Sequence, residues 1–167
     1  MTALDRIWNG WRSQYVNESG SRVPDAEGSV FTQILASGLS DEDCYVVHRG
    51  PLTFAILNAF PYTSGHLMVL PYREVANLED LTDAEATELW AAVTAAVRAV
   101  KSAYNPGGVN VGINMGRAAG GSISEHLHVH VVPRWSGDGN FMTAVAEART
   151  LPEPLSQSAA RLRAAWP

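Results

Sequence analysis

The chain has 167 residues, of which 46% are hydrophobic and 17% are charged, and its net charge is −5 at pH 7. This length and balance predict one globular domain with a sizeable core rather than a disordered chain, and the negative charge argues against a protein that coats nucleic acid. The single cysteine, Cys44, excludes an internal disulfide and a cysteine-based zinc site, whereas a locally positive pocket for a small anion remains compatible with an acidic chain.

The first 43 residues are predicted to form an extension that precedes the core. Apolar side chains recur there at helical spacing: Ile7, Trp8, Trp11 and Tyr15. We expect an amphipathic helix at that point, then a loop over residues 17–29 and one or two helical turns over residues 30–37. The N-terminal charges are unlike those of a signal peptide, and no apolar run approaches the ~18 residues of a membrane span, so a reduced, cytoplasmic setting is expected.

Residues 44–135 are predicted to hold the core sheet. Strand-like runs cover residues 44–48, 52–58, 66–71 and 109–114. The Arg-Gly-Pro sequence between the first two runs predicts a hairpin. The histidine-rich run HLHVHVV is predicted to be the last strand, ended by Pro133.

Two further helices are predicted, a long one in the middle of the chain and one at the C-terminus. Thr82 and Glu85 form a capping-box pattern, so the long helix is expected to begin at Thr82 and to end at the following Asn-Pro-Gly-Gly sequence. The C-terminal segment, residues 136–167, carries Leu155, Ala159, Leu162 and Trp166 at helical spacing. The element order predicts a single α+β domain over residues 1–167, with an antiparallel sheet of about five strands, one long helix, and N- and C-terminal helices.

Three of the five histidines occupy alternate positions, His126, His128 and His130. In a strand, alternate side chains share a face, so these three point one way and the apolar residues between them point towards the core. Three imidazoles cannot all be buried without partners. The explanations that remain are satisfied polar residues on a half-exposed sheet, a metal site, or covalent chemistry on a phosphate.

A zinc site and a nucleophilic histidine make different demands on this strand. Same-face neighbours lie about 6.6 Å apart along a strand, so two histidines can reach one zinc ion but three would be strained, even if His66 joined them. A nucleophilic histidine needs an orienting neighbour and donors for the phosphate oxygens. The preceding loop offers such donors, because the backbone of Gly120 and Gly121 can approach an anion closely and Ser122 and Arg117 add a hydroxyl and a charge.

The run HLHVHVV resembles the His-x-His-x-His pattern of the histidine-triad (HIT) family of nucleotide hydrolases and transferases. The resemblance continues through NAFPYTSGHLMVLPYR and NVGINMG, so it covers residues 44–135 and implies a HIT-like fold. The longer stretch NMGRAAGGSISEHLHVHVVPRW, with Gly-Gly-Ser where many relatives have a glutamine, resembles the diadenosine tetraphosphate phosphorylases of actinobacteria.

The resemblance implies a role for each histidine. His128 would be the nucleophile that becomes adenylylated, and His130 would fix its tautomer and orientation. His126 and His66 would flank the phosphates. The implied substrate contacts are Asn58 at the ribose, Asn114, Gly120, Gly121 and Ser122 at the phosphates, and Trp135 near the nucleotide. No role is carried over to Arg117, Glu125 or His48.

The resemblance implies cleavage of dinucleoside polyphosphates in two steps. Attack on an α-phosphorus leaves an adenylyl-histidine, which inorganic phosphate releases as ADP in a phosphorylase and water releases as AMP in a hydrolase. The alternatives that stay open are the hydrolase, a nucleoside phosphoramidase, a non-catalytic nucleotide-binding module and a zinc enzyme. The expected partners are a dinucleoside polyphosphate, inorganic phosphate and further copies of the chain in a homodimer or larger homo-oligomer. Nucleic acid and membranes are not expected partners, no resident metal or cofactor is assigned, and a divalent cation that accompanies the nucleotide is left open.

Overall fold

A computed structural model describes residues 28–119, 123–139 and 153–167. The predicted amphipathic helix near the N-terminus lies outside these residues. Within them, the helices are α1 (Val30–Ala36), α2 (Asp83–Tyr104) and α3 (Leu155–Ala165). The strands are β1 (Val46–Arg49), β2 (Thr53–Leu57), β3 (Leu67–Pro71), β4 (Gly108–Ile113) and β5 (Val129–Arg134). This order confirms the predicted α+β class.

The five strands form one antiparallel sheet in the order β1-β2-β3-β5-β4. One face packs against α2 and α3, and its core includes Leu67, Val129 and Val131. The opposite face packs against Phe31 of α1 and includes Met68, which pairs with His130 across β3 and β5. The histidines therefore lie on the α1 face, while the apolar residues between them enter the larger core, as the alternation predicts.

Helix α2 begins and ends where the sequence predicts. The Thr82 hydroxyl accepts a hydrogen bond from the Glu85 backbone N–H, and the Glu85 carboxylate accepts one from the Thr82 N–H, which completes a capping box. At the other end, Asn105 adopts a left-handed conformation with φ 44° and stops the helix. No helix within the described ranges is long and apolar enough to cross a membrane.

Strands β2, β3 and β4 end within one residue of their predicted bounds, whereas β1 and β5 differ from theirs by more. Strand β1 begins at Val46 rather than at residue 44, because Tyr45 has φ 60° and interrupts the extended backbone. Strand β5 begins at Val129, so His126 and His128 precede it, and it runs past Pro133 to Arg134.

The position of Pro133 explains why it does not end β5. In an antiparallel pair, the N and the carbonyl of one residue point to the same side. The Pro133 carbonyl accepts a hydrogen bond from the Thr63 hydroxyl, on the side away from β4. The β3–β5 pairing has already ended at Val131, so the missing N–H of Pro133 breaks no ladder bond.

Candidate active site

The four histidines His66, His126, His128 and His130 form one histidine cluster on the α1 face of the sheet. All are buried, and the most exposed, His130, has 8% of its surface accessible. His66 directly precedes β3, and His126 and His128 lie in the segment that leads into β5. The sheet therefore brings together the four residues that the sequence singles out, although only His130 belongs to a strand.

The geometry around His128 defines which ring nitrogen carries its proton. Nδ1 of His128 lies 2.8 Å from the backbone carbonyl oxygen of His126. A carbonyl only accepts, so Nδ1 carries the hydrogen, and the neutral ring has its lone pair on Nε2. Among the described residues no hydrogen bond is found to that Nε2. The His126 carbonyl thus accepts the hydrogen bond that defines the tautomer. The ring of His130 stands edge-on to His128 at a centroid distance of 4.9 Å, and its expected part in orienting His128 stays a prediction.

A chain of hydrogen bonds defines the tautomer of His130. The backbone N–H of Tyr62 donates to Nδ1 of His66 at 3.1 Å, so the proton of neutral His66 is on Nε2. That Nε2 lies 3.0 Å from Nδ1 of His130, which must accept. The hydrogen of neutral His130 is therefore on its Nε2, and the phenol ring of Tyr62 lies over both imidazoles.

Both ring nitrogens of His126 are engaged by protein groups. Nε2 lies 2.9 Å from the carbonyl oxygen of Pro71, and Nδ1 lies 2.6 Å from the hydroxyl of Ser29. Only 1% of His126 is exposed. The ring nitrogens of His66 are likewise held by Tyr62 and His130, and the expectation that His126 and His66 flank the phosphates stays a prediction.

Burial favours the neutral form of two members of the histidine cluster, His126 and His130. It lowers the pKa of His130 to about 4, with a smaller contribution from a positive charge on His128. It also lowers the pKa of His126, and the hydrogen bond to the Pro71 carbonyl opposes this only in part. Near neutral pH both rings are therefore neutral, so neighbouring positive charges on them do not oppose a nucleophilic His128.

The other predicted site residues are placed less closely around this cluster. Asn58 adjoins it, since its Nδ2 lies 3.5 Å from Nδ1 of His66, and its Oδ1 accepts from the Phe60 N–H. Asn114 is half-buried just after β4. Trp135 is half-buried just after β5, with its ring edge-on to Tyr104 at 6.3 Å. Neither of these two has a described hydrogen bond or ring contact with the histidine cluster. Gly120, Gly121 and Ser122 lie outside the described residues.

The residues without an assigned role lie at the surface or in a packing contact. Arg117 and Glu125 are exposed. His48 stacks on Trp166 of the C-terminal segment, with ring centroids 4.6 Å apart. Its pKa is lowered by burial, and Glu88 opposes this shift. The described groups include no set of three or more His, Cys, Asp or Glu side chains placed to hold a metal ion.

Several groups of the site carry no sequence signal that points to them. Ser29 and Phe31 come from α1 and its cap, and Phe31 has its ring centroid 5.6 Å from that of His126 and 5.7 Å from that of His128. The Pro71 carbonyl and the Tyr62 N–H are backbone groups. Residue patterns report side-chain types, so a contribution from the backbone leaves no trace in them.

Comparison with known families shows where the chain belongs. A family model described as "HIT domain" matches residues 40–137. The chain belongs to the HIT domain family. It is 47% identical over 167 residues to a protein of Mycobacterium tuberculosis (strain ATCC 25618 / H37Rv) named "AP-4-A phosphorylase", covering 98% of this chain and 85% of that one.

More distant HIT relatives include hydrolases. The "Bis(5'-nucleosyl)-tetraphosphatase [asymmetrical]" of Schizosaccharomyces pombe is 36% identical over 93 residues, which cover 56% of this chain and 50% of that protein. A crystal structure of a zinc-bound histidine triad family protein from Mycobacterium smegmatis superposes with a TM-score of 0.67 at 28% identity, covering 83% and 92% of the two chains. This HIT protein therefore resembles enzymes that act on dinucleotides, with both phosphorylases and hydrolases among the relatives.

Proposed function

We propose that this HIT protein cleaves diadenosine polyphosphates by phosphorolysis, through an adenylyl group carried on Nε2 of His128. The observation that carries the proposal is the hydrogen bond from Nδ1 of His128 to the His126 carbonyl, 2.8 Å long. It holds the ring in the tautomer whose Nε2 is nucleophilic, and a neutral imidazole is a good nucleophile near pH 7.

In the first step, the lone pair of His128 Nε2 attacks an α-phosphorus of diadenosine tetraphosphate. A bond from phosphorus to Nε2 forms, and the bond from phosphorus to the bridging oxygen breaks, so ATP leaves with that electron pair. A nucleoside polyphosphate is a stable anion, and its departure therefore needs little acid catalysis. In the second step, an oxygen of inorganic phosphate attacks the same phosphorus and forms the new bond of ADP. The bond from phosphorus to Nε2 breaks, and its electron pair returns to His128.

The remaining histidines have distinct roles in this scheme. His130 carries its hydrogen on Nε2, so it can donate to a phosphate oxygen as charge develops there. His126 and His66 act as positioning residues, since their ring nitrogens are held by Ser29, Pro71, Tyr62 and His130. We retain Asn58, Asn114, Gly120, Gly121, Ser122 and Trp135 as proposed substrate contacts.

The choice of phosphate over water as the second nucleophile rests on two observations. One is the 47% identity to the mycobacterial "AP-4-A phosphorylase". The other is the Gly-Gly-Ser sequence of residues 120–122, which the resemblance sets against a glutamine in many relatives. We expect a smaller side chain at that position to leave room for a second phosphate beside the adenylyl group. The similarity to the yeast tetraphosphatase favours hydrolysis as the second candidate function.

A product analysis tests the proposal and separates it from hydrolysis. The protein is incubated with diadenosine tetraphosphate with and without inorganic phosphate, and the nucleotides are separated by chromatography. We expect ATP and ADP, formed faster as phosphate is added. ATP and AMP formed at a rate that phosphate does not change would identify a hydrolase instead.

Two variants test the role of His128. His128→Ala should lose nearly all turnover and form no protein–adenylyl adduct in samples quenched with denaturant at alkaline pH, where a phosphorus–nitrogen bond survives, while His48→Ala, which removes a histidine outside the cluster, should keep both. Binding of the nucleotide should survive in His128→Ala. Full activity of His128→Ala would refute the proposed nucleophile, and activity that a chelator abolishes and zinc restores would favour the zinc enzyme.

We also propose that the chain works as a homodimer or larger homo-oligomer. Strand β4 pairs with β5 on one side and is unpaired on the other among the described strands, and 43% of Val111 in its middle is exposed. An open sheet edge with an apolar side chain favours pairing with a second copy. Light scattering after size-exclusion chromatography tests this, and a mass of 18.0 kDa would identify a monomer.

A further inference from the structure

The backbone that carries the nucleophile lies outside the sheet. The β5 ladder begins at Val129, so residues 126–128 are not held by regular strand pairing. Two other attachments fix them. The Leu127 N–H donates to the Val75 carbonyl at 2.6 Å, and the ring of His126 is bound at both nitrogens. The position of the His126 carbonyl, which orients His128, therefore depends on how the His126 ring is anchored.

The anchoring of that ring assigns a donor role to the Ser29 hydroxyl. The Pro71 carbonyl can only accept, so Nε2 of His126 carries the hydrogen. Nδ1 of the neutral ring must then accept, and the atom facing it at 2.6 Å is the Ser29 hydroxyl. Both residues are 1% exposed, so bulk solvent has little access to this bond.

Ser29 is itself tied to the segment that follows β3. Its backbone N–H donates to Oε2 of Glu74 at 2.7 Å, and the Thr32 hydroxyl donates to the same oxygen at 2.9 Å. The Ser29 hydroxyl also accepts from the Thr32 N–H at 3.3 Å and so caps α1. Pro71 and Val75, which bind His126 and Leu127, lie on either side of Glu74 in the chain. The start of α1 and the segment after β3 therefore both contact the region around His126.

We propose that Ser29 is a positioning residue for the transfer reaction, which it serves by anchoring the His126 ring and thereby the carbonyl that orients His128. The inference rests on the proposed role of His128 as the nucleophile. Ser29 does not touch the reacting atoms. It acts on Nδ1 of His128 through the ring and the carbonyl of His126. The exposed Glu74 holds the backbone N–H of Ser29 in place.

Ser29→Ala removes the donor, and Ser37→Ala is its matched control, because Ser37 caps the other end of the same short helix through a bond to the Ile34 carbonyl. In Ser29→Ala we expect kcat and the single-turnover rate of adduct formation to fall by about 10- to 100-fold, with KM changed by less than about threefold. Ser37→Ala should match the wild type in all three.

Nitrogen NMR of the histidine rings in the ligand-free protein gives a readout that loss of stability does not mimic. In the wild type, His128 should show its hydrogen on Nδ1 and His126 on Nε2. In folded Ser29→Ala, the His126 signals should change and His128 should show a mixture of tautomers. An unchanged His128 tautomer together with unchanged kcat would overturn the inference.

A second pair of variants covers the case in which Ser29→Ala does not fold. Glu74→Ala releases the Ser29 backbone from an exposed position, and Glu79→Ala removes a carboxylate from the exposed short turn at residues 78–80. We expect kcat to fall by about three- to tenfold in Glu74→Ala alone. Equal kcat in both variants would overturn the inference. If the wild type forms no adduct at all, the proposed function fails, while the NMR result still decides whether Ser29 orients the two rings.

Discussion

Lowering the pH from 7 to 5 should destabilise the protein, because His130 is buried as a neutral imidazole. Its pKa is about 4 in the folded chain and 6.5 when unperturbed. Between these values the unfolded chain binds a proton that the folded chain does not. The contribution of His130 to stability is therefore present above pH 6.5 and is lost as the pH falls towards 4.

The size of this effect follows from the two pKa values. The gap between them corresponds to about 3 kcal/mol, at about 1.4 kcal/mol for each pH unit. About two thirds of it is lost by pH 5, and screening by nearby solvent reduces it further, so we expect His130 to account for roughly 1 to 2 kcal/mol between pH 7 and pH 5. His126 and His48 add losses of the same sign, because burial lowers the pKa of each.

Urea unfolding of the wild type and of His130→Asn at pH 7, 6 and 5 isolates the contribution of His130. Asparagine keeps an oxygen near the position of Nδ1, so it can still accept from His66, but it does not titrate. His48→Asn is the comparison variant, and it should remove less of the pH dependence because His48 is only half-buried. An unfolding free energy with the same pH dependence in the wild type and His130→Asn would refute the assignment of a neutral, buried His130.

Four further substitutions, one of them a control, test the structure that supports the site. Gly65→Ala should lower the free energy of unfolding by about 1–2 kcal/mol, because Gly65 has a φ of +77°. It should lower it further because the added Cβ would lie 2.6 Å from the Tyr104 ring. Gly38 has a φ of +74° and no atom within 4 Å of an added Cβ, so Gly38→Ala should show only the loss that comes from the backbone. An equal drop in unfolding free energy for both variants in urea would contradict the contact with Tyr104. Leu89→Ala should lower the unfolding free energy by about 2–5 kcal/mol, because Leu89 is fully buried under the sheet. Thr82→Ala should cost about 0.5–2 kcal/mol by thermal unfolding, and an unchanged melting temperature would argue against the capping box.

The elements that the sequence predicts best are those defined by local chemistry. The bounds of α2 follow from the Thr82–Glu85 capping box and from the residues after Tyr104, all of which are neighbours in the chain. The start of β1 does not follow from neighbouring residue types, because nothing in a tyrosine implies the left-handed backbone that Tyr45 adopts. The start of β5 depends on its pairing with β3 and β4, which begins at Val129 in both ladders and which the sequence of β5 alone does not contain.

In the candidate site, too, features set by neighbouring residues were predictable and features set by distant residues were not. The alternation of His126, His128 and His130 predicts a shared face, and the structure places their rings on it. The states of the ring nitrogens of His126 and His130 were not predictable, because they depend on long-range partners. Ser29 lies 97 residues from His126 in the chain, and Pro71 lies 55 residues from it and contributes only a carbonyl.

The Tyr62 N–H has a consequence for how the site responds to its ligand. The peptide plane that carries this N–H sets the donor and the acceptor in two successive hydrogen bonds, from Tyr62 to His66 and from His66 to His130. If the plane rotated and presented a carbonyl to His66, both rings would reverse their polarity, and His130 would turn a lone pair towards a bound anion. If a phosphate accepts from His130, as we propose, it favours one rotational state of a peptide that it does not touch. Exchange of the Tyr62 amide hydrogen should slow when an anion binds, so the backbone of the loop before β3 can report occupancy of the site.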